Sequence, residues 1–436
     1  MTADFVDKTE AHPTFGKSSG VRRIPLKVVA GVVAGNAMEF YDFIAYSFFA
    51  VYIGRAFFPA KTALMSLLLS VGVFGVGFFF RPLGGILIGA YADRAGRRSA
   101  MLLTIVLITF GTLGLALTPS YESIGMAAPI LLILCRLVQG FALGGEVGPA
   151  TAFLVEIAPP GARALYSSWQ LAAQGLAAFA AASIGVAITL GLGPDALAAW
   201  GWRVPFLLCV VLIPLAFYLR RSMPETITRE SAEIRPARDR IGAHTKILTL
   251  AVLLVLGATV STYVAQYMTT YAIATLNLPA SIALFATVVG GLATMVFALF
   301  GGWLSDRVGR RPVMLIPRIL LAVLTWPAFL LLSAHPSAAT LYLVTFMLNA
   351  LTGISGAASL VIISELLPRP IRSTGMSIAY AIGVSLFGGT TQFIITYLIG
   401  VTGDPTSPAW YVTLTSIVTA GAMLALPETR GRALEG

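Results

Sequence analysis

The sequence predicts an all-α membrane protein, with twelve transmembrane helices arranged as two six-helix pseudo-repeats. Three observations predict it. Of 436 residues, 57% are hydrophobic and only 11% are charged, less than half the roughly 25% charge of a soluble domain. The apolar residues gather into long runs separated by short polar gaps, with the basic residues concentrated in alternate gaps. Several polar signatures also occur twice, in the same order, about two hundred residues apart.

This composition excludes other classes. So apolar a chain is not disordered, and two cysteines, Cys135 and Cys209, make no disulfide scaffold. Both lie in apolar runs and read as reduced packing residues. The net charge of +10 does not indicate nucleic acid, because the basic residues are scattered between runs rather than forming one patch. The polar stretch before the first run has no short apolar segment with a small-residue cleavage site, so no cleavable signal is expected.

Crossing ~30 Å of hydrocarbon takes about 20 residues of helix. Twelve runs qualify: spans 1 to 12 at 27–53, 63–91, 99–118, 127–157, 165–190, 203–220, 246–272, 280–303, 312–332, 340–366, 373–400 and 409–426. The charges between them set the orientation. The gap after span 1 and each second gap beyond it hold only Arg55, Lys61 and Arg203. The other side holds 24 basic residues, leaving Arg81 and Arg136 inside spans. An excess of that size places both ends of the chain in the cytoplasm, in a cell (inner) membrane.

The repeat is explicit. Gly89-Ala-Tyr-Ala-Asp93-Arg94-Ala-Gly96-Arg97-Arg98 follows span 2, and Gly302-Trp-Leu-Ser-Asp306-Arg307-Val-Gly309-Arg310-Arg311 follows span 8. Glu156 and Arg163, seven apart, close span 4; Glu365 and Arg372 close span 10. Pro224-Glu225-Thr226 ends span 6, and Pro427-Glu428-Thr429 ends span 12. The domain organisation that follows is a tail at 1–26, bundles at 27–221 and 246–427, a linker at 222–245 and a tail at 428–436. Two parallel six-helix halves suit an alternating-access carrier with its substrate site at the midplane between them.

The doubled Gly-x-x-x-Asp-Arg-x-Gly-Arg-Arg loop resembles the signature loop of the major facilitator superfamily, and Arg136-Leu-Val-Gln139-Gly140 resembles that superfamily's second motif. Gly35-Asn-Ala-Met-Glu39-Phe-Tyr-Asp42-Phe43, Arg81-Pro82, Gly144-Gly145-Glu146 and Gly201-Trp-Arg203-Val-Pro-Phe206 resemble the metabolite:proton symporter family. Ser168-Trp169-Gln170 with Gln174, and Thr402-Gly-Asp404-Pro-Thr-Ser-Pro408, are most similar to its citrate and tricarballylate proton symporters. The likeness runs from span 1 to span 12. It implies the major facilitator fold. It also implies that the loops latch an inward gate through Asp93 and Asp306, with Arg94, Arg97, Arg98, Glu156, Arg163, Arg307, Arg310, Arg311, Glu365 and Arg372 around them.

An ionisable group near the bilayer centre costs at least ~2.5–3.5 kcal/mol and marks a pathway or a partner. At 1.5 Å per residue, Glu39 and Arg81 lie about 18 Å from the loop-bearing face, and Glu146 about 15 Å, with Asp42 and Arg136 beyond them. Arg136, Gln139 and Glu146 fall within about 80° of one helical face. Arginine binds a carboxylate through a planar two-toothed fork and stays charged at any working pH. Arg81 and Arg136 are therefore candidate substrate ligands, the alternative being structural pairing within the bundle. Asp42, Glu39 and Glu146 are candidate proton carriers. Gln139, Gln170, Gln174, Tyr263, Gln266, Asn349 and Gln392 complete the candidate lining. Gly140, Gly144 and Gly148 form a small face for close packing. Tyr267 and Tyr271 read as an interfacial belt, and Arg318 as a side chain snorkelling to the cytoplasmic interface.

The expected function is proton-coupled symport of a small organic anion, a citrate-like tricarboxylate first, by a functional monomer. A dicarboxylate, 2-oxoglutarate, a shikimate-like acid or betaine/proline are alternative cargoes. A drug exporter fits the arginines less well. An enzyme would need a catalytic constellation, and His12, His244 and His335 all lie outside the spans, with no metal or nucleophile motif nearby. No cofactor is expected.

Overall fold

The computed structural model describes residues 26–95, 97–145, 147–159, 161–221 and 244–432. Among them there are helices and no strands, as a hydrocarbon environment requires of a segmented chain: each helix satisfies its own backbone hydrogen bonds. All twelve expected spans are helical. Nine are single rods: Leu26–Phe57, Arg97–Leu117, Arg163–Gly191, Val204–Arg221, Thr245–Ala274, Ala280–Val308, Arg310–Ala334, Ala338–Leu366 and Ser407–Leu424. Eight helical stretches among the described residues are long and apolar enough by themselves to cross a membrane.

Local chemistry sets the ends. Thr62 accepts a hydrogen bond from the Met65 N–H at the start of span 2, and Ser337 with Thr340 forms a capping box at the start of span 10. Gly309 separates spans 8 and 9 at φ 123°, a conformation that disfavours any side chain. Large apolar side chains such as Phe110, Leu190 and Val211 stand exposed around the outside. On a soluble protein they would be a liability; here they form the surface that faces lipid.

Three spans are interrupted. Span 2 is two helices, Ala63–Phe79 and Arg81–Ala95, joined at Phe80. Span 4 is Ala127–Gly144, capped at Gly145, and Val147–Ile157, with Glu146 between them outside the described residues. Span 11 runs from Arg369–Gly383 through a π-helical turn at Val384–Gly388 into Gly389–Thr402. Such interruptions free backbone groups and recur at functional positions.

The first six spans meet the last six chiefly where span 5 packs on spans 8 and 10 and span 11 packs on spans 2 and 4, with span 1 on span 7 beside them. Within the first half, span 4 lies against span 2 through glycine. A Cβ at Gly140 would collide with the Gly77 carbonyl, and one at Gly144 with the carbonyl of Arg81. Gly140 and Gly144 are thus the close-packing face expected, and Gly144 sets where Arg81 sits. Gly144→Val should force the two helices apart at a cost of about 1–3 kcal/mol, seen as a lowered midpoint of thermal unfolding in detergent. An unchanged midpoint would show that the contact is not tight.

Candidate functional site

Arg136 and Asp42 come together as their depths predicted. Arg136 Nη1 lies 3.7 Å from Asp42 Oδ2, with both side chains almost wholly buried. Gln139, one turn along span 4, bridges them. Its carbonyl accepts from Arg136 Nη1 at 2.7 Å, and its amide donates to Asp42 Oδ2 at 2.7 Å and to Thr112 at 3.1 Å. Thr112, in span 3, was not anticipated; a lone hydroxyl in an apolar run gives no signal of its partner. Asp42 Oδ1 has no hydrogen-bond partner among the described residues.

Arg81 sits at the break in span 2 with 2% of its surface exposed. No carboxylate pairs with it among the described residues. It lies instead over two aromatic rings, with its guanidinium carbon 4.0 Å from the Phe78 centroid and 4.8 Å from that of Phe43, and Tyr263 of span 7 packs on the same Phe78 ring with centroids 5.2 Å apart. Arg136 is held similarly, 3.7 Å over Tyr46 and 5.5 Å from Phe43. In both arginines the same two nitrogens, Nε and Nη2, are buried without a hydrogen-bond partner among the described residues. Those two atoms form one edge of the guanidinium, the edge that grips a carboxylate with two parallel hydrogen bonds.

Between the halves lies a cavity of about 60 Å³ lined by Gln170, Gln174, Tyr263 and Gln266, together with Phe40, Thr259, Ser359 and Tyr380. Four expected site residues therefore converge there. Gln170 is fixed by span 1: Asn36 Nδ2 donates to its backbone carbonyl at 2.9 Å, and its own amide donates to Asn36 Oδ1 at 3.1 Å. The side-chain amide oxygens of Gln170 and Gln266 are left without partners. Tyr263 lines the cavity, and neither Arg81 nor Arg136 does.

Other expected residues lie elsewhere. Asn349 joins spans 8 and 10, accepting from Thr294 at 3.0 Å. Gln392 crosses between halves, donating to Ser47 Oγ at 2.6 Å. Tyr267 and Tyr271 are not an interfacial belt: both are buried, hydrogen-bonded to Thr396 and to the Pro405 carbonyl respectively. The hydroxyls that make tyrosine suit an interface are satisfied internally. Arg318 does not snorkel either. It is fully buried within the second half, donating to the Gly257 carbonyl at 2.8 Å and to Ser261 at 2.9 Å. Glu146 lies outside the described residues, as do the side chains of Glu39, Asp93, Arg94, Arg97 and Arg98.

On the face that carries the repeated loops, the halves are latched. Asp306 accepts from the backbone N–H groups of Ala164 and Leu165 at 3.1 and 2.9 Å. Those are orphan donors at the start of span 5, where the helix dipole also favours an anion. Arg310 pairs with Asp306 at 2.8 Å and with Glu365 at 3.1 Å. The doubled Glu–Arg signature pairs crosswise: Arg372 reaches Glu156 at 3.4 Å, and Arg163 reaches Glu365 at 3.6 Å. Glu428 accepts from the N–H groups of Arg310 and Arg311, both at 2.9 Å. Burial pushes its carboxyl up, but the backbone donors of Arg310, Arg311, Arg430 and Thr429 outweigh that and hold it below the usual carboxylate range. Arg311 donates to the Leu424 carbonyl, and Arg307 lies over Trp303. At the opposite face the halves part around a hollow of about 460 Å³ lined by residues including Arg55, Thr62, Asn277 and Thr396.

Two helical halves, latched at one face and parted at the other around a buried polar centre, define a multi-pass membrane transporter. The comparisons give the family. The Major Facilitator Superfamily model matches residues 32–390 and 274–434, and the chain belongs to that superfamily. It is 40% identical to the citrate-proton symporter of Salmonella typhi over 407 residues, covering 92% of this chain and 94% of that protein. It is 33% identical to the alpha-ketoglutarate permease of Escherichia coli strain K12, covering 92% and 93%. Among solved structures, the proton:xylose symporter bound to 6-bromo-6-deoxy-D-glucose superposes with a TM-score of 0.79 at 18% identity, covering 94% of this chain and 97% of that one. Its fold is shared.

Asp306→Asn should weaken the latch by about 1–2 kcal/mol, since a charged acceptor at a helix start is lost. Cysteines placed on the latched face should then react faster with a soluble maleimide. Unchanged labelling would remove Asp306 from the gate.

Proposed function

We propose that the protein is a proton-coupled symporter of a small organic polyanion, with a citrate-like tricarboxylate as its cargo, working by alternating access in the inner membrane with both ends cytoplasmic. One observation carries the anion: the buried Nε–Nη2 edges of Arg81 and Arg136, neither of them engaged by a carboxylate among the described residues. A desolvated guanidinium edge costs free energy until an acceptor satisfies it, and two such edges suit a cargo with at least two carboxylates. The named activities of the Salmonella and Escherichia relatives, one for a tricarboxylate and one for a dicarboxylate, agree with that chemistry. The dicarboxylate is the second reading, and the two-edge count accommodates it.

The proton follows from charge. A tricarboxylate carries about three negative charges near neutrality, and moving net charge against an inside-negative potential costs ~2.3 kcal/mol per charge per 100 mV. Protons taken up with the anion offset that cost and draw on the pH gradient. Asp42 is the carrier favoured here, because it shares Gln139 with Arg136 and keeps one oxygen unpartnered. An anion engaging Arg136 would loosen the Arg136–Asp42 pair and raise the proton affinity of the carboxylate. Glu39 and Glu146 remain candidates for the same role. The crosswise latch of Glu156 with Arg372 and Glu365 with Arg163 governs switching rather than recognition.

Proteoliposomes test this directly, with labelled citrate outside and a pH gradient imposed. Uptake should rise as external pH falls, and Arg81→Gln or Arg136→Gln should raise the half-saturation concentration by at least about tenfold. Normal transport by both variants would sink the anion site. Asp42→Asn should abolish accumulation against a gradient while citrate exchange persists; accumulation that survives would move the proton to another acid.

A further inference from the structure

Among the described residues, Phe43 is the one whose ring lies under both arginines, at 4.8 Å from the Arg81 guanidinium carbon and 5.5 Å from that of Arg136. Those two distances bound the separation of the guanidinium carbons at 10.3 Å. The ring is 3% exposed and cannot turn freely, because Phe74 packs on it at 4.5 Å and Phe78 at 4.8 Å between centroids. Each arginine has a further ring of its own, Phe78 for Arg81 and Tyr46 for Arg136. Phe43 is what they share.

We propose that Phe43 is a specificity-determining positioning residue, which fixes the two guanidinium edges relative to each other so that one polycarboxylate engages both. The physical argument rests on which part of each arginine is used. A stacked ring occupies the face of a guanidinium and orients its plane, leaving the in-plane edge available to an acceptor. The buried edges without partners are Nε–Nη2 in both arginines, so stacking and carboxylate binding do not compete. Two independently mobile forks would each have to be ordered when a polyanion binds. Two forks set on one rigid ring are ordered in advance, and that ordering favours a ligand that spans them over one that meets a single fork. Tyr263 packs on Phe78 with centroids 5.2 Å apart and also lines the central cavity, which joins that cavity to this cluster.

The inference rests on the anion reading above and is separable from it. Wild-type protein, Phe43→Leu and Phe43→Tyr are reconstituted, and competition for labelled citrate exchange is measured with citrate, a dicarboxylate and a monocarboxylate. Leucine keeps apolar bulk without a π face; tyrosine keeps the ring. Phe43→Leu should weaken citrate and dicarboxylate by about tenfold while the monocarboxylate shifts less than about twofold, and Phe43→Tyr should restore the wild-type order. Equal weakening of all three, or no weakening, overturns the positioning role and leaves the anion reading standing. Lack of rescue by tyrosine also overturns it. If the wild-type protein exchanges none of the carboxylates, the anion reading fails and this inference fails with it.

Discussion

Everything at the centre of the molecule answers to the cost of holding guanidinium groups away from water. A buried cation is tolerated only when something replaces its hydration. Arg136 has a carboxylate and an amide; Arg318 has a backbone carbonyl and hydroxyls; Arg81 has the faces of two aromatic rings. The three solutions differ in what they leave unused. Arg318 leaves only Nε without a partner, because its Nη2 reaches Ser355 at 3.5 Å within its own half, and it reads as a structural tie between helices. Arg81 and Arg136 keep a buried bidentate edge in reserve. That difference, rather than depth in the membrane, is the ground on which Arg81 and Arg136 are proposed to bind the anion and Arg318 is not.

The repeat explains the latch. Glu and Arg seven residues apart at the ends of spans 4 and 10 read, within one half, as neighbours on a single loop. In the structure each arginine pairs with the glutamate of the other half, at 3.4 and 3.6 Å. A pseudo-two-fold relation between the halves makes this economical, because one motif supplies both partners of a symmetric pair of bridges. Long-range pairs of this kind break together when the halves separate, which a pair within one half would not do. Asp306 adds directionality: it caps span 5 of the first half while bound to Arg310 of the second.

The fold was legible because hydrophobic length and basic asymmetry are coarse, summed signals that survive errors at single residues. The twelve spans follow from them, and so does the depth match that brings Asp42 to Arg136. What was not legible depended on which way a side chain turns within an apolar rod. Arg318 lies one to two turns from a helix start, a distance its long side chain could cover in either direction, and packing turned it inward. Tyr267 and Tyr271 sit where an aromatic belt would, but span 7 packs against spans 9 and 11 and the loop before span 12 in its own half, which buries them. Gln392 and Asn349 carry the polar character expected of a lining, yet spend it on neighbouring helices. Thr112 and Asn36 complete the polar centre with no pattern to announce them.

The interruptions in the helices bear on how such a centre can move. Span 2 breaks at Phe80, and the π-helical turn of span 11 stands against it: Ser385 donates to the Phe78 carbonyl at 2.6 Å, and a Cβ at Gly75 would strike the Gly389 carbonyl. The two irregular segments thus face each other across the boundary between halves, one beside Arg81 and the other with no charge of its own. A continuous helix resists bending because every backbone hydrogen bond must stretch together. An interrupted one changes its angle at a few residues whose backbone groups already find partners elsewhere. Placing both breaks at the level of the buried arginine lets the segments nearest the latch swing relative to those nearest the opposite hollow while the charge itself stays at the pivot. The guanidinium then need not travel through hydrocarbon as access alternates. The same constraint that makes the arginine costly to bury makes the pivot the place to keep it.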